Sequence, residues 1–273
     1  MKNTPPTELA AAIDARYQRL IPRIQQLPPT GSRPLTVSGR VAGWITEKAT
    51  YHVNGMPGVR IEDEAVHITA VPSRRLTLSK VLAQLADGLK NTGCLRGWRD
   101  ELLDVVGEGR RLAVIERAAV RPLGLLTRAV HLNAWSKDGR MWVARRALDK
   151  HTDPGMWDTL VGGLAVAGES TDLSLLRESD EEAGLSPEQL QGRTSLRTIL
   201  RMHRQLPEGY QVEDVLISDC VLDEGVQPCN KDGEVSEIVL LDCKDVWAMI
   251  EDGEFTHEAE LAILDSMRHR LGQ

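Results

Sequence analysis

Residues 163–185 read GLAVAGESTDLSLLRESDEEAGL, and this stretch restricts the fold of the chain more than any other. Ser170 or Thr171 can accept from the free N–H groups of a first helical turn. Gly184 can take the left-handed conformation that stops a helix, so the spacing predicts a helix ending at Ala183. On that helix Glu178, Glu181 and Glu182 stand at i, i+3 and i+4 and share one face. Carboxylates so placed repel by a few tenths of a kcal/mol per exposed pair. A hard divalent cation, Mg²⁺ or Mn²⁺, turns the repulsion into a binding site and keeps coordination positions for water and phosphate oxygens. Gly162 and Gly163 let the backbone approach a metal and a phosphate closely, because no side chain intervenes. Glu169 and Arg177 are expected to form an ion pair that ties the loop to the helix.

Composition narrows the function classes. Lys+Arg 33 against Asp+Glu 40 leaves a formal net charge of −7, a poor basis for holding nucleic acid by phosphate neutralisation. With 273 residues, 41% of them hydrophobic, a sizeable core needs no staples. Aromatic residues are scarce, so core volume comes from Leu, Val, Ile and Ala. Cys94, Cys220, Cys229 and Cys243 form no C-x-x-C pair and are read as reduced thiols. The N-terminal Met1-Lys2-Asn3-Thr4-Pro5-Pro6 leads into an amphipathic stretch, and no run approaches the ~18 apolar residues of a membrane span. A soluble cytoplasmic protein with no membrane partner is expected.

Periodicity predicts a helix over 8–26 (Leu9, Ile13, Tyr17, Leu20, Ile24) ended by Pro28-Pro29, then short strands between 35 and 71. A second helix is expected over 77–89, with Leu78, Leu82, Leu85 and Leu89 on one face, and 98–106 and 111–120 continue the pattern. Residues 1–122 thus read as a small α+β domain, with Pro122 and Gly124 marking its boundary. Residues 123–273 alternate strand and helix. Strands at 129–135 and 141–145 are joined by the Lys137-Asp138-Gly139 turn, and a closing helix covers 258–271. This is the pattern of an α/β/α layered domain.

The 163–185 stretch resembles the Nudix box, G-x5-E-x7-R-E-U-x-E-E-x-G-U with U apolar, and carries all seven fixed residues. At average residue usage the chance of such a match is on the order of 10⁻⁸ per window, so coincidence is negligible. Ser179 departs from the pattern, standing at the first U position. The resemblance implies a Nudix α/β/α sandwich, with Glu178, Glu181, Glu182 and the Gly163 carbonyl as metal ligands. It implies an enzyme that hydrolyses a diphosphate linked to another moiety, water attacking phosphorus in line.

Further segments (Trp98-Arg99-Asp100-Glu101-Leu102, Glu116-Arg117-Ala118-Ala119, His131-Leu132-Asn133, Arg145-Arg146 through Lys150, Pro154-Gly155 and Asp232-Gly233-Glu234-Val235) are similar to one Nudix branch. That branch carries an extra N-terminal domain and in some fungi is joined to thiamine pyrophosphokinase. The resemblance runs over roughly residues 8–271 and implies a thiamine diphosphate-like substrate, damaged forms such as oxo- or oxythiamine diphosphate included. The products would be the monophosphate and phosphate, a housecleaning role. An oxidised purine nucleotide (8-oxo-dGTP or 8-oxo-dGDP) and an ADP-sugar are the rival substrates, and a non-catalytic ligand-sensing module is the rival class.

One carboxylate must act as general base. Glu234, ahead of the strand expected at 238–241, is the leading candidate beside those of the box, with Asp232 and Glu213 as rivals. Arg145, Arg146 and Lys150 are candidates to clamp the diphosphate. His131 and Asn133 share one strand face toward the substrate or toward a structural partner, and Trp135 and Trp157 are candidates to stack a heterocycle. The other histidines show no metal-ligand spacing. Specificity is assigned to the N-terminal domain and to loops at 202–213 and 223–234. The N-terminal domain is expected to complete the pocket, to form a homodimer interface, or both.

Overall fold

Helix α1 (Pro6–Ile24) turns its apolar stripe away from the strands that follow it. In the computed structural model, which describes residues 6–271, Ile13, Leu20 and Ile24 join a core cluster with Phe255, Leu261 and Leu264, from the other end of the chain. The lead-in read at residues 1–5 lies outside the described residues. A buried ion pair fixes the contact: Arg16 Nε donates to Glu260 Oε1 at 2.6 Å. The opening helix therefore packs on the closing one.

The rest of the N-terminal half follows the expected α+β pattern. β1 (Arg33–Val37), β2 (Arg40–Ile45), α2 (Glu47–Val53), β3 (Val59–Ile61) and β4 (Val66–Ile68) give a four-stranded sheet in the order β2-β1-β4-β3. α3 (Leu78–Asn91) buries Leu82, Leu85 and Leu89 in the same core, and the Thr77 hydroxyl accepts from the Lys80 N–H at its start. Residues 98–106 and 111–120 do not continue the helical pattern. β5 (Leu102–Gly107) and β6 (Arg110–Glu116) form an antiparallel hairpin, because their inward residues, among them Leu103, Val105, Ala113 and Ile115, recur at a period of two. A short turn, α4 (Val120–Leu123), ends at Gly124 in the left-handed conformation.

The C-terminal half is built on one mixed sheet. β7 (Leu126–Ser136), β8 (Met141–Arg146), β9 (Trp157–Thr159), β10 (Val161–Leu164), α5 (Thr171–Ala183), β11 (Arg197–Leu206), β12 (Gly209–Leu222), β13 (Val235–Leu241), α6 (Cys243–Asp252) and α7 (His257–Leu271) follow in chain order. The strands run β11-β12-β7-β8-β13, with β10 added to β7 and β9 to β8, and β12 lies parallel to β7. Val130, Leu132 and Ala134 of β7 pack with Leu175 and Ala183 of α5. Trp135 takes the other face, in the cluster of α1, α6 and α7. Helices thus cover both faces of the sheet, the α/β/α layering expected from the sequence. The expected loop at 202–213 is instead a hairpin, β11 meeting β12 at Leu206 and Gly209. Among the described residues no helix is long and apolar enough to cross a membrane.

Candidate active site

The ends of α5 are set by the residues expected to set them. The Ser170 hydroxyl accepts from the Leu173 N–H at 3.2 Å, and Gly184 ends the helix with φ of 63°. Ser179, which departs from the motif, is fully buried, and its hydroxyl donates to the Leu175 carbonyl at 2.6 Å. A hydroxyl in an apolar slot is thereby satisfied within the helix itself.

Arg177 organises the acidic face. Its Nε donates to Glu169 at 3.2 Å, and its Nη1 reaches Glu178 at 2.9 Å and Glu181 at 3.0 Å. Ser174 Oγ donates to Glu169 at 2.8 Å, so the loop carboxylate is held from two sides. Against desolvation, the bond to Glu169 and the charge of Glu178 raise the pKa of Arg177 above its ordinary value. Burial pushes the Glu178 carboxyl up, Arg177 opposing it. Glu182 lies deeper, and burial pushes it up to about 8, partly offset by the Gly162 N–H, which donates to it at 2.8 Å.

Strand β10 runs antiparallel to β7, with Gly162 opposite His131 and Gly163 opposite Val130. A Cβ on Gly163 would land on the Glu178 carboxyl, and one on Gly162 would stand 3.1 Å from the His131 ring. Gly163 is required by close approach, whereas a side chain at Gly162 would need the His131 ring to give way by a few tenths of an ångström. This arrangement borders a cleft of about 200 Å³ that also receives Arg146, Lys150, Asp158, Asp232 and Glu234. Lys150 touches Glu234 and lies 3.9 Å from Glu182; burial lowers its pKa against the pull of Glu182. Arg146 Nη1 donates to Asp158 at 3.1 Å and its Nη2 to the Thr152 carbonyl at 3.0 Å.

The N-terminal half reaches the same cleft through Glu101, Arg117 and Arg121. Arg117 Nη1 donates to Glu101 at 2.7 Å, and its charge acts on Glu178 and Lys150. Glu101 and Arg117 belong to segments that carry the branch resemblance but were given no role from the sequence, and Arg121, Asp158, Gln211 and Glu258 were not singled out at all. No local motif marks those four, since the sheet register and the chain reversal at 117–124 bring them in.

Several sequence candidates stand elsewhere. Trp135 is buried and its Nε1 donates to Ser266 at 3.1 Å, because its β7 position faces α7. Asn133 shares that face, as expected, but donates to the Ala262 carbonyl at 3.1 Å and does not line the cleft. Only His131 of the pair does, with Nδ1 3.0 Å from the Thr159 hydroxyl. Arg145 and Trp157 pair with each other outside the cleft, the guanidinium 5.7 Å from the ring centre, since residue 145 faces away from residue 146 on the strand. Glu213 lines the cleft but is held by Arg121, Thr127 and Gln211, whose bonds and charge keep its pKa low despite full burial.

Among the described residues no group of three His, Cys, Asp or Glu side chains already converges on one point. The donor set nonetheless fits a hard cation. Glu178 and Glu182 are buried carboxyls raised by desolvation and by their carboxylate neighbours, the Gly163 backbone lies against Glu178, and Glu181 is half exposed on the same helix face, held by Arg177. Arg177 and Lys150 supply the positive charge that faces them.

Residues 125–260 match the NUDIX domain model, and residues 17–127 match a domain of unknown function (DUF4743). Nudix hydrolase 24, chloroplastic, from Arabidopsis thaliana is 28% identical over 252 residues, covering 87% of this chain and 68% of that protein. Nudix hydrolase 20, chloroplastic, from the same plant is 27% identical over 255 residues, covering 86% and 67%. The crystal structure of DR0079 from Deinococcus radiodurans superposes with a TM-score of 0.44 and 22% identity, over 63% of this chain and 100% of that one. With the complete box on α5, the domain match and relatives that span both halves, the chain belongs to the Nudix hydrolases, with a DUF4743 domain ahead of its Nudix domain.

Proposed function

We propose that the chain is a divalent-metal-dependent hydrolase that cleaves a thiamine diphosphate-like compound, oxidised or otherwise damaged forms included, to the monophosphate and phosphate. The observation that carries the hydrolytic reading is the acidic face of α5 folded against Gly162 and Gly163 at the mouth of a charged cleft. The substrate class rests on the resemblance of the outer segments, several of which (Glu101, Arg117, His131, Arg146, Lys150, Glu234) supply cleft residues.

In this reading Glu178, Glu181, Glu182 and the Gly163 carbonyl hold Mg²⁺ or Mn²⁺, whose chemistry is to neutralise phosphoryl charge and acidify bound water. Arg177 positions Glu178 and Glu181, and its charge opposes the burial that pushes the Glu178 carboxyl up. Lys150, Arg146 and Arg117 face the diphosphate oxygens. Glu234 takes the proton from the attacking water, and its contact with Lys150 holds the carboxylate at the cleft. Glu213, already saturated with donors, is unsuited to that task. A division near residue 122 separates the two domains of this reading, and the first completes the cleft of the second. A cytoplasmic location belongs to it, supported by four free thiols, although the names of both Arabidopsis relatives carry the word chloroplastic.

Hydrolysis of thiamine, oxothiamine and oxythiamine diphosphates, ADP-ribose and 8-oxo-dGTP in millimolar Mg²⁺, read by chromatography of the products because ADP-ribose yields two monophosphates and no free phosphate, tests the proposal. Preference for the thiamine compounds supports it. Preference for a nucleotide keeps the chemistry and overturns the substrate class.

A further inference from the structure

One wall of the cleft is a hydrogen-bonded relay that the hydrolytic machinery leaves unused. Gln211 Nε2 donates to Glu213 Oε1 at 2.8 Å and to Glu258 Oε1 at 2.7 Å, while Arg121 Nη2 donates to Glu213 Oε2 at 2.9 Å. The bond to Glu213, whose pKa Arg121 and its other donors hold low despite burial, fixes the orientation of Gln211, because a carboxylate oxygen can only take a donor. The relay leaves three buried atoms with no hydrogen-bond partner among the described residues: Arg121 Nη1, Gln211 Oε1 and Glu258 Oε2. Arg204 Nη1 stands 3.8 Å from Glu258 Oε2, too far for a hydrogen bond. Buried groups of this kind are costly unless satisfied, and all three belong to residues that line one cleft.

The polarity of these atoms specifies what would satisfy them. Arg121 Nη1 can only donate and Gln211 Oε1 can only accept. A ligand edge that carries an acceptor and an N–H, as in amides and aminated nitrogen heterocycles, matches that polarity. Among the described residues no ring apart from His131 lines the cleft, so recognition is by edge and not by stacking. Arg146 links the two ends of the space, since the charges of both Glu258 and Glu182 act on it.

We propose that Arg121, Gln211 and Glu258 form a subsite for the non-phosphate end of the substrate, reading the amide-like edge of a nitrogen heterocycle. Arg121 comes from the segment matched by the DUF4743 model, so that domain takes part in choosing the leaving group. The proposal rests on the reading of the α5 end as the diphosphate site.

Binding of the heterocycle alone separates the two readings, because it needs no diphosphate chemistry. Thiamine and adenosine are titrated by calorimetry into the full chain, and inorganic pyrophosphate with Mg²⁺ serves as the control for the α5 end. Saturable binding of at least one heterocycle by the wild type is expected. Glu258→Gln and Gln211→Leu should weaken that binding tenfold or more and leave pyrophosphate within twofold. Wild type that binds neither heterocycle, a wall filled only by water, overturns the subsite, as do variants that bind the heterocycle unchanged. Equal loss for heterocycle and pyrophosphate with a lowered Tm marks a structural wall and also overturns it. Arg121→Lys, which keeps charge and much of the volume, provides the same comparison should Gln211→Leu fail to fold. Heterocycle binding without Mg²⁺-dependent hydrolysis of any diphosphate would instead overturn the hydrolase reading and leave the subsite standing.

Discussion

The carboxyl group of Glu178 occupies the place where a side chain on Gly163 would begin. The φ angle of Gly163 is not in the left-handed region, so the requirement for glycine is one of space alone. Gly163→Ala must push Glu178 out of its position or shift β10 away from β7. Activity should fall by at least about 100-fold and stability by about 1–3 kcal/mol, the usual cost of overpacking. Urea denaturation beside phosphate release checks both, and a variant with unchanged turnover would show that Glu178 acts elsewhere.

Glu182→Gln keeps the shape and the hydrogen bond from Gly162 but removes a ligand charge. Mg²⁺-dependent turnover should drop by two to three orders of magnitude with the fold intact, and a chelator should abolish wild-type turnover. Activity that persists in either case contradicts the metal assignment.

Arg117→Ala removes a cation of the N-terminal half from the cleft rim. A rise in KM of about tenfold with kcat within threefold is expected, since Arg117 is hydrogen-bonded to Glu101 and reaches Glu178 only through its charge, so it serves binding more than chemistry. A change in kcat alone would place Arg117 in the chemical step.

Arg16 and Glu260 pin α1 to α7 from buried positions. Arg16→Ala should cost about 3 kcal/mol, because it strands the Glu260 charge, whereas Arg16→Met with Glu260→Leu should recover most of that loss. A double-mutant cycle on chemical denaturation decides, and simple additivity would dismiss the pair as a clasp.

Burial, with Arg204 and Arg23 close by, pushes the His257 imidazole down to about 4. The unfolded chain binds this proton near pH 6.5 and the folded chain does not. Stability should therefore fall as pH drops from about 6.5 to 4, an effect absent above that window. His257→Gln should flatten this part of the Tm–pH curve, and parallel curves for variant and wild type would exclude the histidine as its cause.

The sequence by itself determined helix α5, which carries the box. Ser170, Gly184, Glu169, Arg177 and the three glutamates act through neighbours within one or two turns, so their spacing is their geometry. The layered C-terminal domain and the amphipathic α1 were legible for the same reason, because period and capping are local. Spacing does not report which partner a face meets. Trp135 and Asn133 face α7, and Arg145 points away from its neighbour Arg146. Only the tertiary structure brings α1 onto α7, turns 102–116 into a hairpin and carries Arg117, Arg121, Gln211 and Glu258 to one cleft. Those contacts join residues up to 244 positions apart, and such pairings are fixed by sheet register and by burial of whole faces, which short-range periodicity does not encode.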